Sequence, residues 1–177
     1  MPLTLELSCP EAGWQFEAHS LLRNFMALLY IQARQTTQSL QDENGTVWTD
    51  GPNSNNFAIG PPADQFINGI IPGSGTAPVD IEDFSLAAKI QNGAGAGQLT
   101  YGASQASAPI ISGSTCFITI SKTFTNNSGA DITINEVGCL FLLTTVARVL
   151  GFREVVPPTT IPSGQARTIT LTITITA

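Results

Sequence analysis

The pattern of apolar and polar positions is clearest at the carboxyl end. In TITLTITITA, residues 168–177, Thr exchanges with Ile or Leu at almost every step. Successive strand side chains point to opposite faces, so Arg167 to Thr176 predicts a β-strand with one apolar and one hydroxyl face. Such a long, uncharged, β-branched strand would template aggregation if left at a bare sheet edge. It is therefore expected inside a sheet, or at an edge that another subunit covers. The strand beginning near Asp131 is its expected hairpin partner.

The same alternation marks other segments. LTLEL at 3–7 predicts a short strand. Ser114 to Asn126 places Cys116, Ile118 and Ile120 on one face and runs on through Phe124, and Asp131 to Thr145 predicts a long strand. Helical spacing occurs once, over Glu17 to Gln35. There Leu21, Leu22, Phe25, Leu28, Leu29 and Gln32 follow the i, i+3, i+4, i+7 rule, with Met26, Tyr30 and Ile31 widening the stripe. That width predicts a helix covered on more than one side.

Asn44-Gly45 between strand-like runs at 39–42 and 46–49 predicts a hairpin. From Asp50 to Gly75 the chain is rich in Pro, Gly, Asn and Asp, which predicts a long ordered loop or a set of short strands, with apolar islands at Phe57 to Ile59 and Phe66 to Ile71. Asp83 to Ile90 predicts a short helical turn with Asp83 as N-cap. The glycine-rich 91–97 segment predicts a flexible link, 98–105 a strand and the prolines of 155–162 a crossover. Short strands separated by turn signals, with one helix, predict a mainly β fold. The expectation is a single domain over residues 1–177: an antiparallel β-sandwich or jelly roll with one N-terminal helix packed on it.

Composition narrows the function. Hydrophobic residues make up 42% of the chain and charged residues only 11%, against about 25% charged in ordinary domains. The net charge is −6, and the few basic residues (Arg23, Arg34, Lys89, Lys122, Arg148, Arg153, Arg167) are scattered. Phosphate binding needs clustered Lys and Arg, so nucleic acid is excluded as a partner. The N-terminal MPLTLELSCPE has neither the basic nor the apolar region of a signal peptide, and no apolar run is long enough to span a membrane. Without a secretory signal, the acceptor patterns at 44–46 and 126–128 are expected to stay unglycosylated. The expected site of synthesis is a cytosol.

Candidate chemistry is sparse. One His and three dispersed cysteines, Cys9, Cys116 and Cys139, give neither zinc spacing nor a nucleophile–base pair. The cysteines are expected as small buried hydrophobes, with a Cys116–Cys139 disulfide as the alternative. Gly93-Ala94-Gly95-Ala96-Gly97 lacks the spacing and following helix of a dinucleotide site. Asp80, Glu82 and Asp83, with Asp64 nearby in sequence, are the candidate oxygen ligands for a hard cation, weighed against ordinary solvated carboxylates. Trp14, Trp48 and Tyr101 are candidates for stacking on sugar rings. No catalytic residue, cofactor or metal is expected. A glycosidase would require two carboxylates about 5–10 Å apart in a groove.

The order of these segments resembles small virion proteins of tailed bacteriophages. The similar stretches are SLLRNFMALL at 20–29, GTVWTDG at 45–51, GSGTA at 73–77, DFSLA at 83–87 and GAGQLTY at 95–101. They continue with KTFTNNSG at 122–129, INEVG at 134–138, Ala147-Arg148 and IPSG at 161–164. The resemblance implies a particle component without catalytic residues: a capsid decoration or cement protein, or else a tail or fibre protein binding host glycans. Its partners would be the phage major capsid protein or other virion proteins, and further copies of itself, a trimer being favoured. Phe57, Ile59, Phe66, Gly95, Ile173 and Ile175 stand for the expected contact regions.

Overall fold

The computed structural model describes residues 3–53, 57–59, 68–143 and 147–177. In chain order the elements are β1 (Leu3–Cys9), a 3-10 turn (Pro10–Ala12), β2 (Trp14–Ala18), α1 (Arg23–Arg34), β3 (Gln38–Gln41), β4 (Val47–Asp50) and β5 (Gly69–Gly73). Then follow β6 (Thr100–Tyr101), β7 (Gln105–Ala106), β8 (Ile110–Ser112), β9 (Thr115–Thr125), β10 (Ile132–Leu142), β11 (Arg148–Ile161) and β12 (Ala166–Thr176). The fold is mainly β, with antiparallel sheets and one α-helix among the described residues.

The large sheet runs β2-β1-β12-β9-β6, with β7 and β8 also pairing with β9, and the second sheet runs β11-β10-β5. Nothing in this order singles out a jelly roll. The closing Thr/Ile strand lies inside the large sheet: β12 pairs with β1 along one side and with β9 along the other. Its main-chain groups are thus used within the chain, and no subunit is needed to cover its edges. The expected hairpin with β10 does not form; β10 pairs instead with β11 and β5.

A single cluster of buried residues joins the sheets. Leu7, Ile120, Phe124, Ile169 and Leu171 contribute from the large sheet, and Val137, Cys139, Val149 and Phe152 from the second. Every β10 residue from Glu136 to Leu142 is buried, as expected of a strand covered on both faces.

The helix starts later than its periodicity suggests. Trp14 to Ala18 pairs with β1 instead. The next residues are held by β11, where the Leu22 amide donates to Gly151 O and the Arg153 amide to Ser20 O. Those bonds keep residues 20–22 extended, and α1 begins at Arg23. The helix buries Asn24, Leu28 and Ile31, while Met26, Leu29 and Tyr30 stay exposed, so it is covered on one side only. The Asn44-Gly45 hairpin forms between β3 and β4, with Gly45 at φ 85°.

A further expectation is corrected. Residues 155–162 do not cross over but belong to β11 as far as Ile161. Pro157 and Pro158 sit where Val155 and Thr159 pair with Glu136 and Ile134, a register break that spares the ladder their missing N–H groups. In the 50–75 segment the short-strand alternative holds at Gly69 to Gly73, which forms the fully buried β5.

Candidate interaction face and the buried polar centre

Cross-strand partners share a sheet face, so the register of the large sheet orders its apolar face into rows. Leu7, Leu171 and Ile120 form one row and are at most 4% exposed. Leu5, Ile173 and Ile118 form the next, where Leu5 is buried and the other two are half-buried. The last row is Leu3, Ile175, Cys116 and Ile111. Here Leu3 is 54% exposed, Ile175 44% and Ile111 78%. The apolar face therefore runs out past its cover. A hollow of about 200 Å³ lined by Ile111, Gly113, Ser114, Thr115, Cys116, Ile175 and Ala177 lies there, with no charged side chain in its lining.

Between the sheets lies a polar centre. Ile169 pairs with Lys122, which turns this side chain toward the core, where it is 1% exposed. Its Nζ donates to the main-chain oxygen of Asn68 at 2.7 Å, and Ser104 Oγ donates to the same oxygen at 2.7 Å. Arg148 Nε donates to Asn68 Oδ1 at 2.6 Å, whereas Asn68 Nδ2, also buried, has no hydrogen-bond partner. Burial lowers the Lys122 pKa to about 8; the nearby Lys89 adds to this and Cys139 opposes it. The Lys122 ammonium also stands 5.2 Å from the centre of the Tyr101 ring, a cation–π distance. Tyr101 donates its hydroxyl to Ile90 O, and burial raises its pKa. Above this centre Lys89 pairs with Glu43, and both line a hollow of about 320 Å³.

A second buried ion group fixes the 74–90 segment. Glu136, wholly buried, accepts from the amides of Gly75, Ala87 and Ala88 and from Arg153 Nε at 2.8 Å. Arg153 also donates to Asp83 Oδ2 at 2.6 Å and to the carbonyls of Ala77 and Pro78. Burial works against the Arg153 charge, but the hydrogen bonds to Glu136 and Asp83 outweigh it and raise its pKa.

This cluster explains why 83–90 is not a helical turn: the amides of Ala87 and Ala88 serve Glu136. Asp83 caps no helix but binds Arg153 and the Asp80 amide. The candidate cation ligands are thereby separated in role. Asp80 Oδ1 accepts from the Glu82 amide, Glu82 pairs with Arg23 on the surface, and Asp83 pairs with Arg153. Asp64 lies outside the described residues.

The expected contact residues fall in different places. Ile173 and Ile175 lie on the apolar face just described. Phe57, at φ 66°, turns inward against Phe25 and Phe141, with ring centres 5.3 and 5.6 Å away. Ile59 is also packed against the core. Gly95 is exposed at a loop tip, where its amide donates to Gln98 Oε1 at 3.0 Å. Phe66 lies outside the described residues. The 91–97 link is internally bonded, with the amides of Gly93 and Leu99 donating to Leu99 O and Gln91 O.

The three aromatics form no common cleft. Trp14 Nε1 donates to Thr159, Trp48 Nε1 to Asp42, and Tyr101 is buried. Trp14 and Phe16 do line an open hollow of about 560 Å³ with Gly13, Gln15, Val155 and Pro157. Glu6 and Glu17 face each other across β1 and β2 on the hydroxyl side of the large sheet, beside Thr4 and Thr174 in a hollow of about 210 Å³. All three cysteines are free. Cys9 and Cys139 are buried, and Cys116 is half-buried in the outer row, so the alternative disulfide is absent. Burial raises the Cys139 pKa to about 12.

No protein-family model, curated protein or solved structure matches the chain. Sequence reasoning missed the polar centre and the Glu136–Arg153 pair. A signal was present: Lys122 and Glu136 are the lone charged residues of β9 and β10 in a chain with few charges.

Proposed function

We propose that the chain is a virion structural protein, a capsid decoration protein that self-associates and seats on a phage shell through the uncovered end of its large sheet. The observation that carries this reading is the row Leu3, Ile175, Cys116 and Ile111, an apolar core face left open to solvent. Contiguous exposed apolar surface marks interaction sites more often than chance exposure. The lack of charged side chains at that end favours contact by shape and area over ion pairing. The resemblance of the segment order to tailed-phage virion proteins points the same way. So does the commitment of Asp83, Glu136 and Arg153 to internal bonds, which leaves them to hold loops.

Sedimentation equilibrium of the purified chain tests this. A homo-oligomer is expected, with a trimer favoured, and Ile111→Asp together with Ile175→Asp should yield monomers of unchanged circular dichroism. The wild-type chain should also be recovered in purified particles, and the double variant lost from them. A wild-type chain that stays monomeric and is absent from particles would overturn the proposal.

The hollow beside Trp14 and Phe16 supports a second reading, a tail or fibre protein that binds glycans. Quenching or shift of tryptophan fluorescence on titration with host-surface oligosaccharides, abolished by Trp14→Ala, would favour it over decoration.

A further inference from the structure

We propose that Lys122 and Asn68 join in an intramolecular isopeptide bond, an amide between Lys122 Nζ on β9 and the side-chain carbonyl carbon of Asn68 at the start of β5. The bond would tie the two sheets together covalently, and it does not depend on the particle reading.

Four features of the polar centre converge on this chemistry. The nucleophile is already at the residue it would attack: Nζ lies 2.7 Å from the main-chain oxygen of Asn68, which is joined to Cγ only through C, Cα and Cβ. The step requires the amine to swing from that oxygen to Cγ, four bonds away in the same residue. The electrophile is polarised, because Arg148 Nε holds Asn68 Oδ1 at 2.6 Å and faces the oxygen on which negative charge develops during attack. The leaving nitrogen is unencumbered: Asn68 Nδ2 is buried and makes no hydrogen bond. Assigning it the other way would set an amide N–H against Arg148, which has only donors to offer. Finally, the site is closed to solvent. Lys122 and Asn68 are each 1% exposed, and Ser104 Oγ pins the same main-chain oxygen. Holding both side chains in one buried site replaces an encounter of distant groups with a local rearrangement.

Protonation also favours the step. With burial lowering the Lys122 pKa to about 8, roughly a tenth of the amine is neutral at pH 7.

The reaction balances without a co-reactant. The lone pair of neutral Nζ adds to Cγ while the carbonyl π electrons move to Oδ1. The intermediate then collapses: the carbonyl re-forms, the Cγ–Nδ2 bond breaks, and Nδ2 takes up the proton that Nζ gives up. Ammonia leaves and an amide remains. Nothing is oxidised or reduced. The new bond closes a loop between positions 54 residues apart, so the linked chain should migrate faster than an unlinked one on a denaturing gel.

Intact mass spectrometry of the purified, reduced and denatured wild-type chain decides the matter. The expected mass is lower than that of the sequence by one ammonia, and proteolysis should yield one branched peptide containing both Asn68 and Lys122. Lys122→Arg should restore the full sequence mass and the slower migration. A wild-type chain of full mass would overturn the proposal. So would an ammonia loss with the two peptides separate, because Asn68-Gly69 can close a succinimide that expels the same ammonia. Should Lys122→Arg fail to fold, the wild-type peptide map alone settles the outcome.

Discussion

Four donors converge on the Glu136 carboxylate, three main-chain amides and one guanidinium. A carboxylate buried that deeply is tolerated only because each oxygen is used. Removing one partner of a buried pair typically costs about 3–5 kcal/mol, since the other charge stays behind uncompensated. Glu136→Gln is therefore expected to lower the unfolding free energy by about that amount in urea titration, moderated by the Asp83 contact that Arg153 keeps. Glu17 presents the opposite case. It faces Glu6 directly across an exposed strand pair, and like charges so placed repel. Glu17→Thr should raise stability by about 0.2–1 kcal/mol, read from the shift in the urea midpoint.

The cysteines provide a third residue-scale test. At pH 8 a thiol reagent should modify Cys116 alone in the native protein and all three thiols in denaturant. Burial raises the Cys139 pKa from 9.0 to about 12. A group whose pKa is raised by folding contributes stability below its unfolded pKa and loses it as pH rises toward the folded one. Urea midpoints should accordingly fall between pH 9 and 12, less steeply in Cys139→Ala than in the wild type.

At the scale of elements, α1 and β12 show how far local pattern reaches. The apolar stripe of α1 is real, but only Leu28 and Ile31 among its apolar residues are buried. Leu28→Ala should cost about 2–5 kcal/mol through the cavity it leaves. Leu29→Gln, on the exposed side, should change stability by no more than about 0.5 kcal/mol. Thermal denaturation of the two variants compares them directly. The start of the helix was not legible, because β1 and β11 capture residues 14–22 in competition with helical propensity. Similarly, 155–161 carries the prolines of a crossover yet forms a strand, since the β10–β11 register break accommodates them. For β12, its placement between β1 and β9 means that a chain ending before Ala166 should fail to fold, giving a random-coil circular-dichroism spectrum.

At the scale of the whole molecule, the two larger sheets, the β3–β4 hairpin, one helix and a shared core account for most apolar residues among those described. The remainder gathers at the outer row of the large sheet, on the open side of α1, and at scattered positions such as Val47 and Ile81. The interior holds more charge than such a sparse composition suggests, with Lys122, Glu136, Arg148 and Arg153 all buried. Much of what few charges the chain has is thus spent on joining its layers and fastening the 74–90 segment.

The sequence by itself determined the β class, the single helix, the Asn44-Gly45 hairpin and the two-faced character of β12. These depend on side-chain periodicity and turn chemistry, which act between near neighbours along the chain. It also separated the apolar from the hydroxyl face of β12 residue by residue. Tertiary structure alone decided which strands flank β12, where its apolar face loses its cover, and that Asn68, Ser104, Lys122 and Arg148 meet. Strand pairing and charge burial join residues dozens of positions apart, and no local pattern states which distant partner will supply the missing hydrogen bond.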